Sequence, residues 1–291
     1  AWDLVGAALA AVGIIGLLQA VSAINACLLL AVLAAAAGLF ATDTDRPRPA
    51  HLAWPAAFLA VFVINLAAPV FDIPPIPNRS GSSAQAQQSF TQPLFTELGD
   101  PAHTSRIIAT RWNAFARTDV VADTQAPDLY YIYTNGNVPT TMMRWDGAAA
   151  SLPHIVDKFP LADWAFACAP LGQGGPPRGT VLSIGPGGGL DALLALHYRA
   201  EKFEGAELNP SILSLMDDYR DFNGGVYRRP EVRVLTAEGR AYTRERAAQG
   251  QRYALIFSAL TKTATAGQGM ALLESYIHTQ NAAADYLRAL Q

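Results

Sequence analysis

Charge is nearly missing from the start of this chain. Residues 1–71 hold only Asp3, Asp43, Asp45, Arg46 and Arg48 as acids and bases, and almost all the others lie beyond Phe71. Cysteine is almost missing too. Cys27 falls inside an apolar run and Cys168 stands alone far downstream, which excludes an intrachain disulfide and leaves the redox compartment open. A positive excess is absent: Lys and Arg number 21 against 24 Asp and Glu. The net charge of −3 therefore carries no footprint of nucleic-acid binding. The first residue is Ala, with no basic start and no short apolar core before a cleavage site, a poor fit to a signal peptide. The chain reads instead as a processed form or a piece of a longer protein.

What the start does hold is apolar. Ala1 to Phe40 is an almost unbroken run, too long for one membrane crossing and about right for two of ~20 residues each. Its clustered polar residues, Gln19, Ser22 and Asn25, put the turn near Gln19–Ser22. Trp54 to Phe71 supplies a third segment, introduced by Pro55 and closed by Asp72 and Pro74-Pro75. These patterns predict a three-helix transmembrane region over 1–72, with spans near 3–19, 22–41 and 54–71. The lipid bilayer and other membrane-protein subunits are then the expected partners, and the bacterial inner membrane the expected location. The arginines at 46 and 48 place their loop inside and the large domain outside. A nucleotide-type fold favours a cytoplasmic domain, so the side stays open.

Residues 73–105 read as a linker rich in Pro, Ser, Gly and Gln. Residues 106–150 read as a small β-hairpin element. Its strands are expected at Ile107–Thr110, Thr118–Val121 and Leu129–Tyr133, and Asn135-Gly136-Asn137 is a strong turn signal. The rest, 151–291, predicts an α/β domain. Val181–Ile184 is a buried-strand run, Gly185-Pro186-Gly187-Gly188-Gly189 a glycine turn, and Leu190–Ala200 a helix; Lys202–Glu207 is a second strand ending in an acid. A glycine turn there lets a ligand approach the backbone, with a helix N-terminus aimed at it. Leu190 breaks the G-x-G-x-x-G dinucleotide fingerprint. Gly185, Gly187 and Gly189 spell G-x-G-x-G, the form of folds that bind S-adenosylmethionine and its relatives. Further strands follow at Val232–Leu235 and Tyr253–Ser258, with helices at Leu152–Ala169, Ser211–Phe222 and Leu272–Gln291. The fold class is thus a Rossmann-like nucleotide-binding domain, expected to be incomplete at its C-terminus.

Several stretches in order carry a resemblance: Ile184–Gly189, Glu207-Leu208-Asn209-Pro210, Gly224–Pro230, Ala237–Tyr242 and Leu273–Thr279. Arg111–Val120 matches as a leading β segment. Together these resemble the membrane-embedded spermidine-synthase-like proteins of bacteria. The resemblance implies aminopropyl transfer from decarboxylated S-adenosylmethionine to a polyamine amine. It implies that Gly185 and Gly187 pass the nucleoside, that Glu207 holds the ribose hydroxyls, and that Glu238 lies near the adenine, with Gly189 and Asp191 as further cofactor-binding candidates. The glycines equally suit a bare turn, and the two acids equally suit solvated strand ends. No metal is implied. The cofactor implied is S-adenosylmethionine or its decarboxylated form, and nothing in the residues alone demands either.

The departures from that pattern decide the expected function. Soluble spermidine synthases carry an Asp in the glycine loop that holds the substrate amine, and the matching residue here is Gly188. Asp191, three residues later on the helix, substitutes only if the loop is displaced. Those enzymes also place acids after the fourth strand, where this chain has Ser258-Ala259-Leu260-Thr261-Lys262-Thr263. A neutral amine nucleophile needs a carboxylate nearby, and Lys262 repels a polycation. No catalytic residue is therefore assigned. The expectation is a degenerate accessory or structural subunit of a larger membrane complex; an active aminopropyltransferase or a methyltransferase is the alternative.

Overall fold

The computed structural model describes residues 2–40, 49–71, 93–100, 104–173, 175–258 and 276–291. Two compact units are present: Ala1–Ile76 with Arg111–Arg117, and Pro77–Thr110 with Thr118–Gln291.

The first unit contains three helices, α1 (Trp2–Ala20), α2 (Ala23–Phe40) and α3 (Pro49–Ala67). The long apolar run breaks at Val21-Ser22, where the Ser22 hydroxyl accepts from the backbone N–H of Asn25 at 3.3 Å. α2 packs along α3, and a buried polar contact joins Asn65 Nδ2 to Asn25 Oδ1 at 2.8 Å. Asn65 also bonds both the N–H and the carbonyl of Phe71, closing the chain after α3.

The transmembrane expectation is corrected by these helices. Among the described residues, no helix is long and apolar enough to cross a membrane. The three are 19, 18 and 19 residues long, at the low end of the roughly 17–25 apolar residues that a hydrocarbon core requires. Helix ends take residues away from an apolar run, and α3 opens on Pro49-Ala50-His51 and carries Pro55 within it. The spans near 3–19, 22–41 and 54–71, and the inner-membrane location drawn from them, are withdrawn on that finding.

The second unit opens with a helix inside the stretch read as linker, α4 (Pro93–Gly99), whose Leu94 is buried with Val121 and Tyr133. A four-stranded sheet follows, β1 (Arg106–Trp112), β2 (Arg117–Ala122), β3 (Leu129–Thr134) and β4 (Asn137–Met143), in sequential order. β2, β3 and β4 pair antiparallel. Asn135 and Gly136 turn β3 into β4 with φ of 51° and 71°. A two-residue hairpin of this kind needs positive φ at both positions, which is why Asn-Gly signals it.

Helices α5 (Leu152–Val156) and α6 (Pro160–Ala167) replace the single helix expected over 152–169, because Pro160 starts a new helix. Then comes the α/β part: β5 (Thr180–Ile184), α7 (Leu190–His197), β6 (Lys202–Glu207), α8 (Pro210–Asp218), α9 (Arg220–Asn223), β7 (Val232–Thr236), α10 (Gly239–Ala248), β8 (Leu255–Phe257) and α11 (Gln280–Ala289). The strands form one parallel sheet in the order β7-β6-β5-β8. Counted in sequence this is 3-2-1-4, the order of a doubly wound nucleotide fold up to its fourth strand. Every residue of β5 is buried, as a strand covered on both faces must be. The expected strands at Val181–Ile184, Lys202–Glu207, Val232–Leu235 and Tyr253–Ser258 correspond to β5, β6, β7 and β8, whereas α4 and β4 were not expected and the helix read over 211–222 is divided into α8 and α9. Residues 259–275, which include Lys262 and the Leu273–Ser275 part of the last motif, lie outside the described residues.

Candidate functional site

In an open sheet of this order, ligands sit beyond the carboxyl ends of the strands where the order reverses. Here the reversal lies between β5 and β8. The end of β5 is the glycine loop. The end of β8 leads to residues 259–275, which lie outside the described residues.

The glycine loop is held from three directions. The N–H of Gly185 bonds the carbonyl of Ala206, tying the loop to β6. The N–H of Gly187 donates to Glu207 Oε2 at 3.1 Å, and the phenol of Tyr227 donates to the Gly187 carbonyl at 2.8 Å. The N–H of Gly188 donates to Thr140 Oγ1 on β4 at 2.9 Å, and Gly189 forms an antiparallel bridge with Met142. The loop is thereby stitched to the small sheet.

Two glycines are required by this arrangement. Gly189 sits at φ 91° as it starts α7, a conformation side chains resist. Gly188 is required for space: a Cβ there would fall 2.1 Å from the Thr141 carbonyl oxygen and 2.7 Å from the Met142 nitrogen. The close neighbour that Gly188 admits is strand β4 of the chain itself.

Glu207, expected to hold ribose hydroxyls, is buried and faces inward. Its Oε1 accepts from the N–H of Asn209 at 2.9 Å, and its Oε2 takes the Gly187 N–H. Burial pushes its carboxyl up, against the pull of these backbone bonds. Asn209 in turn caps α8 through Ser211 and reaches Thr118 on β2 at 2.8 Å. Asp191 stands on the first turn of α7, also buried, and its Oδ2 accepts from Ser183 at 2.5 Å. Burial pushes its carboxyl up to about 7, with Glu207 adding to the rise and Ser183 opposing it. Glu238 lies apart from this cluster in role. Its two oxygens accept from the N–H groups of Arg240 and Ala241, so it caps α10, a contribution of about 1 kcal/mol.

The structure therefore brings Gly185, Gly187, Gly189, Asp191 and Glu207 to one place and leaves Glu238 as a helix cap. Sequence reading missed Thr140, Met142, Ser183 and Tyr227. Tyr227 lay within the Gly224–Pro230 stretch without a role, and Thr140 carried no signal at all. An adenosyl group placed here would meet, at its ribose, a buried carboxylate whose two oxygens already accept from the Gly187 and Asn209 N–H groups. The loop backbone that would face it lies against β4. Among the described residues no group of His, Cys, Asp and Glu is placed to hold a metal ion.

No family model and no curated protein matches the chain. Solved structures similar to it include a spermidine synthase in complex with the transition-state analogue AdoDATO, at 19% identity and a TM-score of 0.44, covering 64% of this chain and 55% of that one. A spermidine synthase from Thermotoga maritima is similar at 17% identity and a TM-score of 0.42, covering 64% and 54%. A probable spermidine synthase from Corynebacterium glutamicum is similar at 15% identity and a TM-score of 0.44, covering 64% and 61%. The chain thus spans little more than half the length of these structures.

Proposed function

We propose that this chain is a non-catalytic relative of the aminopropyltransferases, serving as an accessory or structural subunit of a larger protein assembly. The observation that carries the reading is the position of β4 on the glycine loop. The resemblance seen in the sequence asks for an acid at residue 188 to hold an amine, and the Thr141 carbonyl occupies the space where its Cβ would stand. The nearest described carboxylates do not replace it. Glu207 is spent on two backbone N–H groups, and Asp191 is buried against Ser183 on the first turn of α7. Among the described residues, a neutral amine approaching this loop finds neither an acceptor to orient it nor a base to take its proton, and each such positioned group is worth about 10²–10⁴-fold in rate.

The test is direct. Purified protein incubated with decarboxylated S-adenosylmethionine and putrescine is expected to give no spermidine above a protein-free blank by mass spectrometry. Multiple turnovers would overturn the subunit reading and restore an aminopropyltransferase.

A further inference from the structure

Two buried carboxylates, Asp191 and Glu207, flank the glycine loop, and among the described residues no cation is paired with either. Asp191 stands at the start of α7, four residues after the Gly187 whose N–H Glu207 holds from the end of β6, so the Glu207 charge acts on Asp191 and both act on the Tyr227 phenol. The surroundings of Asp191 are otherwise uncharged among the described residues. β5 supplies Ser183, and β4, whose sequence is Asn-Val-Pro-Thr-Thr-Met-Met, supplies no titratable group. From α6, Asp163 is engaged by the Tyr198 hydroxyl. From α5, His154 is exposed. The turn that carries Tyr227 also carries Arg228, which is exposed and paired with Asp217. Leaving two ionised carboxylates buried without a counter-charge is costly, so the closed arrangement favours a proton on one of them.

We propose that Asp191 is a proton-controlled latch on the glycine loop: protonated, it lies beside Glu207 beneath a closed loop, and ionised, it drives the loop open. The coupling runs through named bonds. Glu207 holds the Gly187 N–H, Tyr227 holds the Gly187 carbonyl, and Asp191 sits two residues after Gly189 on the helix that the loop feeds. Repulsion between the two carboxylates therefore pulls on both ends of the loop at once. The N-terminus of α7 and the Ser183 hydroxyl favour the anion, but burial outweighs them.

The sign follows from where the proton binds more tightly. The closed loop holds Asp191 protonated up to about pH 7, whereas an opened loop returns it toward its ordinary value of 3.8. The closed form is thus fully favoured below that ordinary value and loses its advantage as pH rises to about 7. Opening should increase by up to about tenfold per pH unit over that window and then level off.

Hydrogen exchange on the intact chain, with each rate divided by its intrinsic rate at the same pH, reads this out. Protection of the Gly187 and Gly188 amides is expected to fall between pH 5 and 7 and to flatten above it. Asp191→Asn is expected to abolish the slope. Ser183→Ala removes a hydrogen bond that favours the anion, so it is expected to move the inflection to higher pH. A slope that persists in Asp191→Asn, a slope of the opposite sign, or an inflection unmoved in Ser183→Ala would overturn the proposal. Ser183→Ala alone decides the matter if Asp191→Asn does not fold.

Discussion

Gly188→Asp, the substitution that would rebuild the loop acid of soluble spermidine synthases, is expected to lower stability by about 3 kcal/mol and to create no activity. Its Cβ would lie 2.1 Å from the Thr141 oxygen and 2.4 Å from the Thr141 carbon, both backbone atoms of a paired strand. Side-chain rotation cannot relieve a clash at Cβ, so β4 or the loop must shift. Overpacking of this kind typically costs about 1–3 kcal/mol, and here it falls on backbone with little room to give. The Gly188–Thr140 hydrogen bond and the Met142–Gly189 bridge are lost with the same movement. Gly188→Ala separates geometry from charge, since the clash belongs to Cβ alone. Equal losses for Ala and Asp in urea denaturation are the expected result. A stable Gly188→Asp protein that makes spermidine would show that the loop and β4 part easily and that the missing acid was the whole defect.

Arg246→Ala is expected to cost about 3 kcal/mol, the low end of the range for breaking a buried ion pair. Glu204 is buried in the middle of the parallel sheet on β6. Arg246 on α10 grips it with two nitrogens, at 2.6 Å and 3.1 Å. The hydroxyls of Tyr242 and Tyr253 complete the site at 3.0 Å and 2.7 Å. Removing the guanidinium leaves an anion in the sheet with only two phenols to answer it. The low end applies because Arg246 retains partial contact with water. Burial works to raise the Glu204 carboxyl, but the Arg246 and tyrosine bonds hold it below its ordinary value of 4.5. Its stabilising contribution is therefore present above that value and lost as pH falls through the lower, folded-state one. The gap between wild type and Arg246→Ala should narrow as pH drops below 4.5. Denaturation midpoints that coincide at pH 7 would show that α10 is not fastened to the sheet through this pair.

The difference between these two sites marks what sequence can and cannot carry. Local geometry was readable. Asn135-Gly136 requires a two-residue turn, Pro210 opens a helix behind the Asn209 cap, and the apolar run at Val181–Ile184 before a glycine stretch gives a buried parallel strand. The partner of the glycines was not readable. Thr140 is 48 residues before Gly188, and Tyr227 is 40 residues after Gly187. A glycine is demanded wherever something presses on the backbone, and the pattern is the same for a nucleoside as for a strand. Glu207 was placed correctly at a strand end, but pattern alone does not say whether a carboxylate faces a crevice or turns back to its own loop. The apolar segments misled for a related reason. Hydropathy counts residues, whereas α1, α2 and α3 end where Val21-Ser22 and the flanking polar residues end them.

Closure of the glycine loop by its own strand is tested most directly by titrating ¹⁵N-labelled protein with S-adenosylmethionine and its decarboxylated form at pH 6. The amide resonances of Gly185, Gly187, Gly188 and Gly189 are expected to stay where they are up to millimolar ligand. Saturable shifts centred on those four amides, with parallel heat in calorimetry that Glu207→Ala weakens, would contradict it.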